Sequence, residues 1–483
     1  MALLLFMTLA AWSMGSAVGS SPDEDYVLTS IWCGTEGNPP YCRKDPDRAH
    51  AMILPIMAAE PSLCFRQLGQ DYSAKCQEGI YGQEISTNHY NSGDLFPSGY
   101  LSAARVFVGV DIEASVAQMR MFSSFLAAVL IISACSFFWK KNSDLLLAWL
   151  AVIAPVTSYF IASVNTSSWT LIGTTCFTLA FIAALKNREH PKIWLPASAL
   201  ALFAMWFTNS SRFEGKYVLL LLAMAILYSE LAPKHSKITK KSILIGSAIL
   251  PVIFLINRYF DRFNGPLNIF NDPRVEVSDG ITTTANNLLV NNMITLPRFI
   301  TGFFGSWGLG WFELELTSTV WLFTLQAFLL IIVFSLRKSS NFHRLIFSAL
   351  FAVMCVAIVF ANQKTFSKVG NVIQPRYFLP FFLGIVIIAA ANKSERYPNS
   401  LVITVAILST ISNSIALRDT IRRYTTGQDV FISKSLNSPI EWWWQFGPQP
   451  ETVWLTGTLA FAALWTVLIY DRNKDEKFLL RAD

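Results

Sequence analysis

Residues 318–336 read STVWLFTLQAFLLIIVFSL, without one charged side chain, and Arg337 and Lys338 follow at once. An apolar run of about 20 residues can cross the ~30 Å hydrocarbon core of a membrane as a helix. The whole chain shares this character, since 53% of its 483 residues are hydrophobic and only 14% are charged, against roughly 25% in soluble proteins. The sequence predicts an all-α polytopic membrane protein. It excludes soluble enzymes, secreted domains, nucleic-acid binders and disordered scaffolds.

Similar apolar segments recur along the chain and predict about twelve transmembrane helices. They cover residues 2–20, 117–138, 144–163, 168–185, 193–208, 214–230, 243–259, 318–336, 345–361, 377–391, 401–417 and 452–470. The first segment lacks the basic start of a signal peptide, although Gly-Ser-Ala-Val-Gly at 15–19 is compatible with a cleavage site. We expect this segment to be retained as a helix. Cleavage would leave about eleven spans.

Basic residues are concentrated in alternate loops between these segments, which predicts one cytoplasmic side. They are Lys140, Lys141, Lys186, Arg188, Lys192, Lys234, Lys237, Lys240, Lys241, Arg337, Lys338, Arg344, Lys393, Arg396, Arg472, Lys474, Lys477 and Arg481. We therefore expect a multi-pass plasma-membrane protein with both termini in the cytoplasm. The predicted plan is a first helix at 1–20, an extracytoplasmic loop domain at 21–116, helices within 117–259, a second outer loop at 260–317, helices within 318–470 with an outer loop at 418–451, and a tail at 471–483.

The cysteines separate into two groups. Three lie in apolar segments, and the other four, Cys33, Cys42, Cys64 and Cys76, lie in the first outer segment. An even number of cysteines in an exported stretch predicts two disulfides. Their connectivity is open, and the most local pairing, Cys33 with Cys42 and Cys64 with Cys76, is preferred. A zinc site is the alternative, although no C-x-x-C spacing occurs.

Three consecutive acids, Asp23, Glu24 and Asp25, follow Ser21 and Pro22 directly after the first segment. One interpretation is structural: Ser21, Pro22 and Glu24 have the spacing of a helix capping box. The other is catalytic, because three adjacent carboxylates repel one another and exceed what a cap requires. The sequence pattern alone leaves both interpretations open.

Several motifs, taken in order, resemble those of one bacterial family of predicted membrane proteins. They are Pro22-Asp23-Glu24, Ser30-Ile31-Trp32-Cys33, Leu95-Phe96-Pro97-Ser98-Gly99-Tyr100, Gly308-Leu309-Gly310-Trp311-Phe312-Glu313 and Gln374-Pro375-Arg376-Tyr377-Phe378-Leu379-Pro380. The family is domain of unknown function 2142, in its actinobacterial branch, and it is similar to the GT-C superfamily of membrane glycosyltransferases. Two motifs depart from the pattern, with Phe96-Pro97-Ser98 for Tyr-Pro-Pro and Trp311-Phe312-Glu313 for Trp-Leu-Asp.

The resemblance implies transfer of a monosaccharide from a polyprenyl-phosphate donor on the extracytoplasmic face, with inversion at the anomeric carbon. The acceptor would be a cell-envelope glycan, a lipid or an exported protein. Asp23 would be the base, Glu24 would orient the acceptor, and Asp25 would share either task. A metal requirement is left open, with magnesium or manganese held by Asp23 and Glu24 as one possibility.

The donor phosphate needs cations at the outer ends of the spans. Arg376 suits this task, since Arg binds phosphate oxygens in a bidentate manner, and Arg212 is the second choice. For each arginine a structural interpretation is also open, in which an interfacial Arg at a span end extends its charge to water. Trp311, Glu313 and Tyr377 are further candidates for the substrate cavity. Carboxylates and guanidinium groups more than about 15 Å apart, beyond a Debye length, would argue against a single site.

Other features carry less weight. Residues 285–317 predict an interfacial helix or re-entrant segment. Trp442, Trp443 and Trp444 are more typical of an aromatic belt than of sugar stacking. His50 and His89 lie in the first outer segment, where either could line an acceptor site, but both are more typical of exposed loop residues. Two further functions stay open. A transporter or flippase of lipid-linked sugars would suit twelve spans, although transporters place ionisable groups near the midplane. An O-antigen-ligase-like enzyme usually has its longest outer loop late in the chain.

Overall fold

The computed structural model describes residues 1–66, 68–91, 93, 96–138, 144–153, 155–231, 274–278, 280–428 and 435–479. Within these ranges the chain is mostly helical. The α-helices are α1 (Ala2–Met14), α2 (Glu24–Cys33), α3 (Ile56–Ala59), α4 (Ser98–Arg105), α5 (Ile112–Ser136), α6 (Asp144–Ile153), α7 (Val156–Ile161), α8 (Thr166–Lys186), α9 (Pro191–Asn209), α10 (Gly215–Leu231), α11 (Ala285–Gly302), α12 (Ser318–Arg337), α13 (Asn341–Lys364), α14 (Leu379–Ala391), α15 (Asn399–Thr425) and α16 (Pro450–Leu479).

Six of these helices are long and apolar enough to cross a membrane, namely α5, α8, α12, α13, α15 and α16. Their number and composition agree with the predicted polytopic membrane protein. A count of twelve spans stays a prediction, and the predicted span 243–259 lies outside the described residues. In the bundle, α1 packs between α5 and α16, α8 packs along α9, and α12 packs against α15. Helix α14 is buried along its whole length and contacts α6, α8 and α13.

The sequence predicted a helix over residues 2–20, but the first apolar segment is helical over only part of this range. Helix α1 ends at Met14 after 13 residues, a length of about 20 Å at 1.5 Å per residue. The chain then continues to Pro22 as irregular backbone, and every residue from 11 to 22 is buried. Backbone without helical hydrogen bonds is tolerated at membrane depth only where protein groups satisfy it. Arg120 of α5 supplies those groups, donating to the carbonyls of Ser16 at 2.7 Å and Ala17 at 2.8 Å.

Two other predicted spans are also interrupted. The segment 144–163 is divided into α6 and α7 on either side of Pro155, which has no N–H to continue a helical ladder. The segment 377–391 becomes helical only at Leu379, and the preceding residues Pro375–Tyr377 form a 3-10 turn. Arg376 therefore lies in a turn before α14.

The first outer segment holds a small antiparallel sheet with the order β1 (Arg43–Lys44), β2 (Met52–Pro55) and β3 (Glu84–Thr87). The structure pairs Cys33 with Cys42, with Cα atoms 5.1 Å apart, and Cys64 with Cys76, with Cα atoms 5.8 Å apart. These are the pairs that the sequence favoured. A second, two-stranded sheet joins β4 (Arg274–Glu276) to β5 (Thr282–Thr284).

A buried arginine holds the Cys64–Cys76 loop against the bundle. Helix α15 runs eight residues beyond its predicted end at 417, to Thr425, and carries Arg423 with no exposed surface. The Arg423 guanidinium donates to the carbonyls of Phe65 at 3.3 Å and Gly69 at 2.9 Å, and also to that of Tyr72. Part of the outer segment is thus built into the bundle.

Two of the three consecutive tryptophans, Trp442 and Trp444, are buried in the protein and do not belong to the predicted aromatic belt. Trp442 and Trp444 are each only 4% exposed, and the Trp444 indole donates to the carbonyl of Met14 at 2.8 Å. Sugar stacking is excluded for these two side chains by their burial. The predicted helix within 285–317 does form as α11, with Val290, Met293 and Ile294 exposed. Its interfacial position stays a prediction.

Loops predicted to share the cytoplasmic side contact one another at one end of the bundle. Lys186 donates to the Ala391 carbonyl at 2.6 Å. The Asp144 carboxylate, at the start of α6, lies 2.8 Å from Lys393 Nζ and 3.2 Å from Arg472 Nε, and all three side chains are at most 5% exposed. One carboxylate thus joins α6, the loop after α14 and the end of α16. That this end faces the cytoplasm stays a prediction.

Replacing the shared carboxylate is expected to destabilise this end of the bundle. In Asp144→Asn, two buried cations lose their counterion, and breaking a buried pair costs about 3–5 kcal/mol. We expect a clearly lower melting temperature in detergent. The control is Glu395→Gln, because the pair of Glu395 with Lys338 is 58% and 38% exposed and such pairs contribute little. Equal melting temperatures for the two variants would contradict the prediction.

Candidate functional site

The site is built where helices α2, α8 and α14 begin. Asp23 is the N-cap residue of α2, and the carbonyl of the preceding Pro22 accepts hydrogen bonds from Asn165 at 2.7 Å and Arg376 at 2.7 Å. Asn165 is the N-cap residue of α8, where its side chain also accepts from the Ser167 N–H at 2.8 Å. Arg376 lies just before α14. Helix N-termini carry a partial positive charge, so this convergence favours an anion.

The three consecutive acids do not point to one place. Asp23 has a left-handed backbone conformation with φ +63°, and neighbouring residues at a helix start face different directions. As a result, each carboxylate meets a different arginine. Asp23 contacts Arg376, Glu24 contacts Arg120, and Asp25 contacts Arg66.

Glu24 is part of the core. Its side chain has no exposed surface, its Oε1 lies 2.9 Å from Arg120 Nη2, and its Oε2 accepts from the Ser21 N–H at 2.9 Å. The second contact is the one that Glu24 would make in the predicted capping box, but Asp23 rather than Ser21 is the N-cap residue, and Pro22 precedes the helix instead of beginning it. Burial raises the pKa of Glu24, and the Arg120 charge and the Ser21 N–H oppose that rise. Both oxygens are occupied inside the protein, so the geometry supports the structural interpretation of Glu24.

Asp23 is the accessible acid. Its side chain is 39% exposed, and its Oδ2 lies 2.5 Å from Arg376 Nη2. Among the described residues nothing donates a hydrogen bond to its second oxygen, Oδ1. Arg376 is 1% exposed, also donates to the Tyr377 hydroxyl at 3.1 Å, and has an Nε with no partner within the described residues. The structure thus brings Asp23 and Arg376, which are 353 residues apart, into direct contact.

The two predicted phosphate-binding arginines flank one aromatic ring. The guanidinium carbon of Arg376 lies 5.0 Å from the centre of the Tyr377 ring, and that of Arg212 lies 4.9 Å from it. Arg212 also donates to the Ser167 hydroxyl at 2.8 Å, in the first turn of α8. It lies 3.5 Å from the exposed Glu214. Arg212, Arg376 and Tyr377 therefore form one cationic cluster.

Aromatic contacts continue from this cluster to Asp25. Arg212 lies 5.4 Å from the Phe96 ring, which packs 5.8 Å from Tyr26, whose ring packs 4.9 Å from His89. His89 Nε2 lies 4.0 Å from Asp25 Oδ1. The backbone of residues 23–25 connects the two ends of this chain of contacts, which we call the site ring and which consists of Asp23, Asp25, Tyr26, His89, Phe96, Arg212, Arg376 and Tyr377. The ring is cationic on one side and carries Asp25 and His89 on the other.

The two other residues predicted for the substrate cavity, Trp311 and Glu313, lie in different places. The Trp311 indole donates to the Gly19 carbonyl at 2.9 Å, and its ring lies 4.7 Å from the guanidinium of Arg66, the partner of Asp25. Glu313 is buried and accepts from the Tyr424 hydroxyl at 3.3 Å, and burial raises the pKa of Glu313. Trp311 therefore supports the site ring through Arg66, whereas Glu313 contacts the end of α15.

Sequence reasoning missed three residues that shape the site, Arg66, Arg120 and Asn165. Arg120 could have been identified from the sequence, because it is a charged residue within the predicted span 117–138, and ionisable residues in spans are rare and paired. Arg66 and Asn165 could not, since a loop arginine and a loop asparagine are ordinary. The sequence predicted His89 as an exposed loop residue, and its side chain is 56% exposed.

A divalent ion held by Asp23 and Glu24, the possibility that the sequence left open, does not fit these residues. The carboxylates of Asp23 and Glu24 face two different arginines. Within the described residues, no three His, Cys, Asp or Glu side chains come together as metal ligands.

A family model described as predicted membrane protein, DUF2142, matches residues 6–385. The chain belongs to this family. The matched range includes every member of the site ring, from Asp23 to Tyr377, so the ring is a feature of the DUF2142 region. No curated protein and no solved structure is significantly similar to the chain.

Proposed function

We propose that this DUF2142 protein is an inverting glycosyltransferase of the GT-C type, which moves a monosaccharide from a polyprenyl-phosphate donor to an acceptor of the cell envelope. The site would face the extracytoplasmic side of the plasma membrane. The observation that carries the proposal is the Asp23–Arg376 pair, in which one carboxylate oxygen is held by the cation and the other is open. The proposed base, Asp23, is thus in contact with the proposed phosphate-binding group, Arg376.

The donor phosphate would bind at the cationic cluster. Two guanidinium groups within 5.0 Å of one ring centre provide charge-assisted hydrogen bonds to phosphate oxygens. The beginnings of α2, α8 and α14 add the positive ends of three helix dipoles. Because the phosphate gains negative charge as the sugar leaves, these groups bind the transition state better than the ground state.

The reaction then needs one proton transfer and one displacement. Asp23 Oδ1 takes the proton of the acceptor hydroxyl as the acceptor oxygen bonds to the anomeric carbon. The bond between that carbon and the phosphate oxygen breaks, and polyprenyl phosphate leaves with the electron pair. Attack from the face opposite the phosphate inverts the anomeric centre. Protonated Asp23 returns its proton to solvent or to the departing phosphate.

Reconstitution of the full chain in liposomes tests the proposal. Short-chain polyprenyl-phosphate pentoses and hexoses would be supplied one at a time with a mixture of uncharged alkyl glycosides. Mass spectrometry should show a glycoside heavier by one sugar residue and an equal amount of polyprenyl phosphate. Absence of product with every donor would contradict the proposal. If the donors instead crossed the bilayer unchanged, the protein would be the flippase considered above.

A further inference from the structure

His89 places an exposed imidazole against a buried carboxylate. Its side chain is 56% exposed, whereas that of Asp25 is 8% exposed, and the distance from Nε2 to Asp25 Oδ1 is 4.0 Å. The imidazole ring also packs edge-on to Tyr26, with centroids 4.9 Å apart. The Asp25 carboxylate, which is beyond hydrogen-bonding distance, and the Tyr26 ring thus lie next to the imidazole, while more than half of the His89 side chain is exposed.

Asp25, the neighbour of His89, is itself held firmly. Its Oδ2 lies 3.1 Å from Arg66 Nη1, and its Oδ1 accepts from the Tyr26 N–H at 2.7 Å. Arg66 is in turn stacked on Trp311, whose indole is anchored to the Gly19 carbonyl. A chain of contacts therefore connects the core to His89 through Asp25.

The position of His89 in the site ring separates it from the phosphate-binding groups. Tyr26 and Phe96 lie between His89 and Arg212. With the donor phosphate at Arg212 and Arg376, the opposite side of the ring is left for the acceptor. Asp25 lies beside His89 on this side, and the open oxygen of Asp23 is the atom proposed to take the acceptor proton. The acceptor would therefore lie near two carboxylates, which disfavour an anionic acceptor.

We infer that His89, which lies beside Asp25 and Tyr26, binds a hydroxyl group of the acceptor, and that the acceptor is an uncharged sugar. The inference rests on the proposed function and specifies the acceptor class for the same site. His89 is a positioning residue in this account, because the acceptor proton goes to Asp23. Loss of His89 should therefore weaken acceptor binding and leave donor binding intact.

The experiment compares His89→Ala, His89→Gln and His50→Asn in the transfer assay, with an uncharged alkyl glycoside and its uronic acid counterpart as acceptors. His50 is the matched control, an exposed histidine of the same outer segment with φ +59°, which Asn tolerates. We expect His89→Ala to raise the acceptor KM about fivefold to tenfold, the value of one hydrogen bond. The donor KM should not change, and His89→Gln, which keeps an N–H donor, should recover most of the loss.

Three results would overturn the inference. They are an unchanged acceptor KM in His89→Ala, a change confined to the donor KM, and equal use of the glycoside and the uronic acid. If wild type transferred no sugar, the proposed function would fail. Binding of the same glycoside, measured by saturation-transfer NMR on wild type and His89→Ala, would still decide the inference, because equal Kd values would overturn it.

Discussion

Asp23→Asn is expected to lower the turnover of sugar transfer by about a hundredfold to ten-thousandfold, the usual contribution of a general base. The amide has the same shape as the carboxylate but cannot take the acceptor proton. Asn also adopts left-handed backbone conformations, so the φ of +63° at this position is not a new source of strain. The measurement is the rate of polyprenyl phosphate release with saturating donor and acceptor.

A matched substitution separates this effect from a general loss of charge. Asp47 is an exposed acid of the same outer segment, and Asp47→Asn should turn over like wild type. The Asp23 variant leaves Arg376 without its counterion, so some loss of stability is expected. Because Asp23 is 39% exposed and Arg376 can still donate to the Pro22 carbonyl and the Tyr377 hydroxyl, the variant should fold, and turnover is compared at equal amounts of folded protein. Wild-type turnover in folded Asp23→Asn would remove Asp23 from its proposed role.

Arg120→Met is expected to have the largest effect on folding. Arg120 has no exposed surface, pairs with the equally buried Glu24, and donates to the carbonyls of Ser16 and Ala17. The variant buries an unpaired carboxylate and leaves carbonyls unsatisfied at the irregular end of α1. Breaking a buried pair costs about 3–5 kcal/mol, and each orphaned carbonyl adds about 1–3 kcal/mol. We expect a large drop in melting temperature and a reduced yield of monodisperse protein.

A second substitution, at the partner residue Glu24, tests whether the unpaired carboxylate causes part of the loss of stability. In Arg120→Met combined with Glu24→Leu the unpaired charge is gone, so the double variant should be more stable than Arg120→Met alone. The orphaned carbonyls should keep it below wild type. Arg43→Met is the control, because the Arg43–Glu84 pair lies at the surface, with side chains 54% and 46% exposed. A melting temperature of Arg120→Met equal to that of Arg43→Met would contradict the assignment.

The spans could be predicted from sequence because the free energy of membrane insertion depends mainly on local composition. Runs such as 318–336 appear in the structure as helices with nearly the same bounds, here α12 (Ser318–Arg337). The errors occurred where tertiary partners replace helical hydrogen bonds. The segment 2–20 has the composition of a span, yet its last residues leave the helix because Arg120 satisfies their carbonyls.

The candidate site was predicted in part. The acid cluster stood out because acids are scarce in this chain, and Arg376 stood out because it lies at the start of an apolar run. Their direct contact could not be predicted, since 353 residues separate Asp23 from Arg376. The structural role of Glu24 could not be predicted either, because a capping box and a catalytic acid have the same sequence pattern.

From the amino-acid sequence alone one can predict a helical membrane protein, the positions of its main apolar segments, and the acids and arginines that are candidates for a site. These properties follow from composition and spacing within short stretches of chain. The role of each charged side chain depends instead on the tertiary structure. Three adjacent carboxylates meet three arginines from distant parts of the chain. Burial, which the packing of the helices sets, distinguishes Glu24 in the core from Asp23 at an accessible surface.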